Sequence, residues 1–420
     1  MRFDWSNLET RQMALARPRG RADRDLLTSV RAILDDVRAR GWAAVAAQAT
    51  RIDGTPPERL SVAPYAAVGR NDLGAPALKA MALAARNIEA FHRETLPQDV
   101  AVYPAPGLRV AKEWRTVRRV GLYVPGGVAP LFSTLMMLAI PARVAGVREI
   151  TVVTPPRPDG GLDPALALAA DLCGIEAIWT VGGAQAIGAL AYGAGDIPAV
   201  DLICGPGNSW VAGAKAIVSA TPGGPGIDLP AGPSELMVIA DDSARPEWVA
   251  ADLLSQAEHD KDAQVILVST SSNVLDATLD AFARQASAVG LARAEVRAIA
   301  CEDIAQAVDI ANRYAPEHLS LACADADRVA ADIVSAGAVF VGHWAAESFG
   351  DYLVGSSHVL PTDGAARYTG GVSTQTFMKA ITVQRLSPDV ASALASPAAA
   401  LARLEGLEAH ARAAEARAAV

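Results

Sequence analysis

The chain is poor in several things that would have placed it in a familiar class. It has four cysteines in 420 residues, Cys173, Cys204, Cys301 and Cys323, far apart and without a CxxC. That usage excludes a disulfide-stapled scaffold or a thiolate zinc finger and fits reduced, buried thiols in a cytosolic protein. A basic stripe is missing. The net charge is -9, the isoelectric point is near 5.3 and the lysines and arginines are scattered, which argues against nucleic acid or an anionic membrane as partner. The start, MRFDWSNLETRQ, lacks the apolar core of a signal peptide. No run of about 18 apolar residues escapes charges or turn formers. The longest apolar stretch, 130–147, is interrupted by Pro141 and reads as a buried helix. A soluble, cytoplasmic protein is expected.

What is there is a regular beat. The composition is 51% hydrophobic and 20% charged, and the length calls for two main domains with extensions. Residues 1–20 read as an arm. Helical spacing runs over 23–48, with a break at the Arg-Gly of RARGW; 51–75 reads as loop with short pieces, and 76–96 as a helix. Residues 100–112 and 116–124 look extended. From Arg118 strands alternate with helices: strands over 120–124, 149–154, 177–181 and 202–204, and helices over part of 134–147, then 164–172, 184–192 and up to 219. After a Pro/Gly-rich crossing, 221–233, the beat resumes. Strands are expected at 236–240, 265–268, 296–300, near Leu319 and at 338–341; helices at 246–258, 273–287, 303–314 and 325–336. Glycine at the strand-to-helix turns implies parallel, doubly wound sheets. Two such units in succession raise the suspicion of a duplication, although no clean sequence repeat is visible. The Ala-rich tail from Pro388 reads as helical with a break near Pro397, packing on the body or on another subunit.

Several polar sets punctuate this scaffold. Three glycine turns, Tyr123-Val-Pro-Gly-Gly, Gly182-Gly-Ala-Gln185 and Gly205-Pro-Gly-Asn208, fall at the expected carboxyl ends of strands, where open α/β sheets bind ligands. The pyrophosphate fingerprint GxGxxG is absent, so a nucleotide here would be held differently. Residues 311–321, ANRYAPEHLSL, set Glu317 beside His318 behind Pro316, which biases Ala315 away from helix and puts the pair on extended chain. A carboxyl and an imidazole side by side suit general acid/base work near neutral pH, though such a pair alone is more often solvated. Gln256 and His259 lie three apart on an expected helix and so on one face. Asp351 and His358 fall in a Gly/Ser-rich loop after the last strand. Glu405 and His410 are five apart and could share one site only if the tail helix ends or bends between them. His92, on a charged amphipathic helix, and His343, beside Trp344, carry no assigned role. His259, His318, His358 and His410, with Gln256 and Asp351, could form a zinc site of N and O ligands, but spacing cannot establish that distant segments meet.

In the same order, GLYVPGGVAPLFST, GGAQAIGALAYG, GPGN, LPAGPSE, LLSQAEHD, YAPEHL, GDYLVGSSHVLPT and EGLEAH resemble the motifs of the histidinol dehydrogenase family. The resemblance runs from about Val30 into the tail. It implies a zinc-dependent, NAD-linked enzyme that oxidises L-histidinol to L-histidine through the aldehyde, the last step of histidine biosynthesis, with two NAD reduced. It implies one Zn2+ per subunit on Gln256, His259, Asp351 and His410. It puts the catalytic acid/base pair on Glu317 and His318, and NAD contacts on Tyr123, Gln185 and Asn208. Ser234, His318, His358 and Glu405 join the metal ligands as substrate contacts. The resemblance also implies a homodimer whose tail reaches into the partner's site. The expected domains are then an arm (1–20), an α/β domain with the catalytic pair and most zinc ligands (21–117 plus 234–372), an NAD-binding α/β domain (118–233) and a dimerising tail (373–420). Two departures stand out: Ser357 where the family loop has Asn before His, and Lys379-Ala380 in place of a Lys-Arg pair. They leave open a paralogous zinc/NAD dehydrogenase of another small polar primary alcohol. A non-catalytic scaffold on the same fold would have lost Glu317, His318 or a metal ligand, and none is lost.

Overall fold

In chain order the strands are β1 (Arg2–Asp4), β2 (Arg59–Ser61), β3 (Val100–Ala105), β4 (Leu108–Thr116), β5 (Arg119–Tyr123), β6 (Glu149–Thr154), β7 (Ala177–Thr180), β8 (Leu202–Cys204), β9 (Gly226–Ile227), β10 (Glu235–Ala240), β11 (Gln264–Ser269), β12 (Val296–Ala300), β13 (His318–Ala322), β14 (Ala338–Val341) and β15 (Met378–Leu386). The computed structural model describes residues 1–18, 24–126, 131–229, 232–290 and 294–418. The end of the expected arm, the expected helix start at Asp23, Gly127 of the first glycine turn, residues 230–231 of LPAGPSE and residues 419–420 of the tail lie outside the described residues. The chain divides into two units, Met1–Thr95 with Arg118–Phe377, and Leu96–Val117 with Met378–Val420.

The first unit holds two six-stranded sheets. One has the order β2-β7-β6-β5-β8-β9 and the other β1-β12-β11-β10-β13-β14. Setting aside the outermost β2 and β1, both read third, second, first, fourth, fifth, all parallel. Each therefore has a switch point beside its first strand, between β5 and β8 in one and between β10 and β13 in the other. The shared order is what a duplication would leave behind. Parallel strands covered on both faces should be apolar throughout, and β10 (ELMVIA) and β11 (QVILVS) are buried at every residue. The helix Phe132–Val144, within the long apolar stretch, is buried from Thr134 to Ala142 despite Pro141.

The structure corrects four readings. The arm opens on a strand and is built into the body: β1 pairs in parallel with β12, and Trp5 and Ala14 join the core beneath the second sheet. Residues 51–75 are not mainly loop. A helix runs to Asp53, β2 pairs antiparallel with β7, and a helix spans Val62–Asp72. Pro64 sits in that helix's first turn, where a missing N–H costs nothing, and Gly69 lets the helix approach Pro164 closely. The helix expected over 325–336 covers only Ala326–Ala331. In the tail, the helix Pro388–Leu404 continues through Pro397, and the break comes after Leu404, before a second helix at Glu408–Glu415. Ala393, whose carbonyl loses its partner to Pro397, is exposed, so water can satisfy it.

The second unit contains a strand the sequence pattern did not reveal, β15. It pairs antiparallel with β4 over nine residues, and β3 completes a three-stranded sheet. The two tail helices pack on each other, and Arg403 pairs with both Glu408 and Glu415.

Candidate active site

A cleft of about 430 Å³ in the first unit is lined from both sheets. The first sheet contributes the carboxyl ends of its strands at the switch point: Pro125 after β5 and Gly205 to Asn208 after β8. The second contributes the amino ends: Ser234 before β10, and Glu317 and His318 at the start of β13. His259, Asp351, His358 and Thr362 complete the wall.

The turn after β8 can be made only by glycine. Gly205 has φ +125°, and a Cβ there would lie 2.0 Å from the Tyr123 carbonyl oxygen. A buried ion pair that the sequence reading missed braces this turn. Lys215 and Asp228 are in contact with side chains 2% and 1% exposed. Lys215 Nζ donates to the Gly205 carbonyl at 2.8 Å, and the Gly205 N–H donates to Asp228 Oδ2 at 2.7 Å. Asn208 caps the next helix, its Oδ1 accepting from the N–H groups of Trp210 and Val211 at 3.1 and 3.2 Å. That helix start faces the cleft and suits an anionic group. Tyr123 and Gln185 are buried and do not line the cleft. The Gly183 N–H donates to Tyr123 Oη at 3.3 Å, and Gln185 Nε2 donates to Asp53 Oδ2 at 3.3 Å. Burial pushes the Tyr123 hydroxyl up to about 12, so it is a neutral donor.

The Glu317–His318 pair is buried and hung on the backbone of Glu235. The Glu235 N–H donates to Glu317 Oε2 at 2.9 Å, and the Glu235 carbonyl accepts from His318 Nδ1 at 3.1 Å. A carbonyl only accepts, so Nδ1 carries the proton and Nε2 keeps a free lone pair. Nε2 is buried, without a hydrogen-bond partner among the described residues, and lies 3.8 Å from Asp351 Oδ1. Burial lowers the His318 imidazole to about 4, keeping it neutral near pH 7. Burial also pushes the Glu317 carboxyl well above the usual carboxylate range. Glu347 is a second missed residue: it is buried, and its Oε1 lies 3.3 Å from His318 Nδ1. No spacing in ESFGDY marks it as different from a solvated acid.

His358 is fixed by Nδ1–H donating to the Asp351 carbonyl at 2.8 Å, while Nε2 faces the Thr134 hydroxyl at 3.3 Å. Burial lowers its pKa. Asp351 lies on a short helix, Glu347–Tyr352, and not in the expected loop. Ser357, at the first departure, is buried and accepts from the Val359 N–H at 3.1 Å. The expected helix carrying Gln256 and His259 ends at Ala257, so His259 lies beyond it and is exposed in the cleft wall. Gln256 is 1% exposed, and neither its amide oxygen nor its nitrogen has a hydrogen-bond partner among the described residues. Such an orphaned buried amide is costly, and a bound cation would satisfy its oxygen. Among the described residues no three His, Cys, Asp or Glu side chains form a metal-holding group. His259 and Asp351 line the cleft and Gln256 does not; by chemistry the three offer one imidazole, one carboxylate and one amide, donors that suit a zinc-like cation but need a further ligand. Glu405 and His410 belong to the second unit, where both are exposed and the helix does end between them.

The cleft's described wall carries five carboxyl side chains, Asp228, Asp260, Asp262, Glu317 and Asp351, against one Lys or Arg, Lys215, which Asp228 already pairs. Fold and site define a two-sheet α/β enzyme that sets a glycine turn and a helix start opposite an acidic, histidine-bearing wall. The histidinol dehydrogenase family model matches residues 16–418. The chain is 45% identical to the histidinol dehydrogenase of Xanthomonas euvesicatoria pv. vesicatoria, covering 98% of this chain and 97% of that protein. It is 43% identical to that of Shigella boydii, covering 97% and 95%. The crystal structure of histidinol dehydrogenase from Elizabethkingia anophelis superposes with a TM-score of 0.93 at 38% identity, covering 99% of this chain and 97% of that one. The chain belongs to the histidinol dehydrogenase family. Among the described residues no helix is long and apolar enough to cross a membrane.

Proposed function

We propose that this enzyme oxidises L-histidinol to L-histidine through the aldehyde, with two NAD reduced and one zinc ion per subunit. What carries the reading is the cleft itself, where the braced Gly205–Asn208 turn faces a neutral, partnerless His318 Nε2 in a wall rich in carboxylates. An acidic wall favours a cationic substrate such as an amino alcohol. Zinc would be held by Gln256, His259, Asp351 and His410; when bound, it supplies a Lewis acid that anchors the substrate's nitrogen donors. NAD would lie along the first sheet's carboxyl ends, near Tyr123, Gln185 and Asn208, and supplies the hydride acceptor.

The chain's own residues do the proton work. His318 Nε2 takes the alcohol proton as hydride departs, with Nδ1 held by the Glu235 carbonyl. Glu317, made more basic by burial, takes a proton from the water that adds to the aldehyde. Ser234, His358 and Glu405 contact the substrate, Glu405 as the partner of its ammonium group. Enclosure between the two sheets keeps the aldehyde from bulk water between steps. A homodimer, in which the tail of one copy completes the site of the other, accounts for the missing fourth metal ligand. It is also supported by the edge strand β14, which leaves Val339 and Val341 exposed and is followed by exposed Trp344, Phe349 and Tyr352. An uncovered apolar edge in a parallel sheet calls for a partner.

A paralogue acting on another small polar alcohol is the second reading, favoured by the Ser357 and Ala380 departures. The test is NADH formed per L-histidinol consumed by purified protein, before and after chelation. About two NADH per substrate, lost on chelation and restored by zinc, is the expected result. Folded, zinc-loaded protein that turns over other polar alcohols but not histidinol would sink the assignment.

A further inference from the structure

We infer that Arg17, from the segment that reads as an arm, is a positioning residue for the Glu317–His318 pair, acting through Glu235. The inference rests on the reading of that pair as catalytic. Arg17 meets the Glu235 carboxylate through two bonds, Nε to Oε1 at 2.6 Å and Nη2 to Oε2 at 3.0 Å. The Glu235 side chain is fully buried and that of Arg17 is 19% exposed. The Asp363 N–H adds a third bond, to Oε1 at 3.2 Å. Glu235 is in turn the residue whose N–H holds Glu317 and whose carbonyl holds His318.

Arg17 also grips the chain from the other side. Its Nη2 donates to the Tyr314 and Ala315 carbonyls at 2.8 and 3.3 Å, and its guanidinium lies 3.8 Å from the centre of the Tyr314 ring. Ala315 has φ +56°, a left-handed conformation unusual for a residue with a Cβ. It is the turn that takes the chain from the helix Ile304–Tyr314 into Pro316, Glu317 and His318. One guanidinium thus ties the strand that holds the pair's side chains to the turn that sets the pair's backbone.

A purely stabilising role explains this poorly. A buried ion pair gives little net stability over apolar residues of the same volume. What it gives here is a fixed distance between two backbone segments, and small displacements of a catalytic group are costly in rate. A planar, two-pronged guanidinium does this more fully than an ammonium, which can hold the charge but not both segments at once.

The experiment uses the zinc-loaded full chain and compares Arg17→Ala, Arg17→Lys and the double variant Arg17→Met/Glu235→Met, with Glu317→Gln and His318→Ala in parallel. In folded Arg17→Ala, kcat should fall about 10- to 100-fold with zinc content retained and KM for both substrates nearly unchanged. Arg17→Lys should keep more kcat than Arg17→Ala. If Arg17→Ala does not fold, the double variant, which leaves no buried charge unpaired, carries the test: its melting temperature should approach that of the parent while kcat stays low. Parental kcat in Arg17→Ala, or in a refolded double variant, would overturn the inference. If Glu317→Gln and His318→Ala themselves retain turnover, the catalytic reading fails, and this inference with it.

Discussion

The two sheets of the first unit share one strand order and use opposite ends of it. The first meets the cleft with its carboxyl ends, at the switch point between β5 and β8, where a glycine turn and a helix start line the wall. The second turns its switch point away and offers the amino ends of β10 and β13. Towards the carboxyl end of β13 lies a small hollow lined by Arg245, Trp248, Ser320, Ala322 and His343, among others. Topology alone therefore does not say where a doubly wound sheet acts. A carboxyl end supplies free N–H groups and close backbone approach, which suit a cofactor. An amino end lets neighbouring strands trap side chains with their own backbone groups, as Glu235 traps Glu317 and His318, and this suits acid/base chemistry.

This division of labour can be broken from either side. The largest effect should come from the second sheet. His318→Ala is expected to lower kcat by about 10²–10⁴-fold while dinucleotide affinity holds, as read by NADH formation and by titration of the folded variant. A matching loss of dinucleotide binding would show that the two halves are not separate. Next comes the first sheet. Lys215→Met strands the Asp228 carboxylate in the interior and should cost about 3–5 kcal/mol of stability. Adding Asp228→Leu should recover most of it in denaturant unfolding. KM for the dinucleotide should stay high in the double variant, with zinc content unchanged. The smallest effect serves as a control. His92 is fully buried, donates from Nδ1 to the Ile88 carbonyl at 2.8 Å, and has its pKa lowered by burial. It binds a proton near its ordinary pKa of about 6.5 only when unfolded, so its contribution to stability is full above that pH and is lost as pH falls below it. His92→Leu should flatten the decline of melting temperature with pH on the acid side of about 6.5 and leave kinetics alone.

The inner strands of the first sheet, β5 to β8, were legible because a glycine or proline turn follows each of them, and the helices Pro164–Leu172 and Ser209–Ser219 open on a side-chain cap. The Pro164–Leu172 helix and the strand Leu202–Cys204 fall where the pattern puts them. The misread parts lack that punctuation. β1 is three residues long and gains its strand character from a partner far along the chain. The helix Val62–Asp72 carries Pro64, Gly69 and Asn71, residues that read as loop when packing is unknown. Among the described residues β15 pairs with distant β4 alone. The Glu317–His318 pair was visible as chemistry. Its supports, Glu235 and Glu347, were not, nor was the Lys215–Asp228 brace of the Gly205 turn, because a buried carboxylate looks like a surface one in sequence until its partners are known.

The pairing of β1 sets an order of events during synthesis. The N-terminal ammonium of Met1 donates to the Val296 carbonyl, 295 positions further on. At about 5–20 residues per second, roughly 15–60 s separate the emergence of the two ends of that contact. Every strand of the first sheet, β2 to β9, lies inside this interval and can pair before β12 exists. For that time the first strand waits without β12 and Arg17 without the Tyr314 and Ala315 carbonyls, and a half-made chain can carry the Gly205 turn but not the braced Glu317–His318 pair.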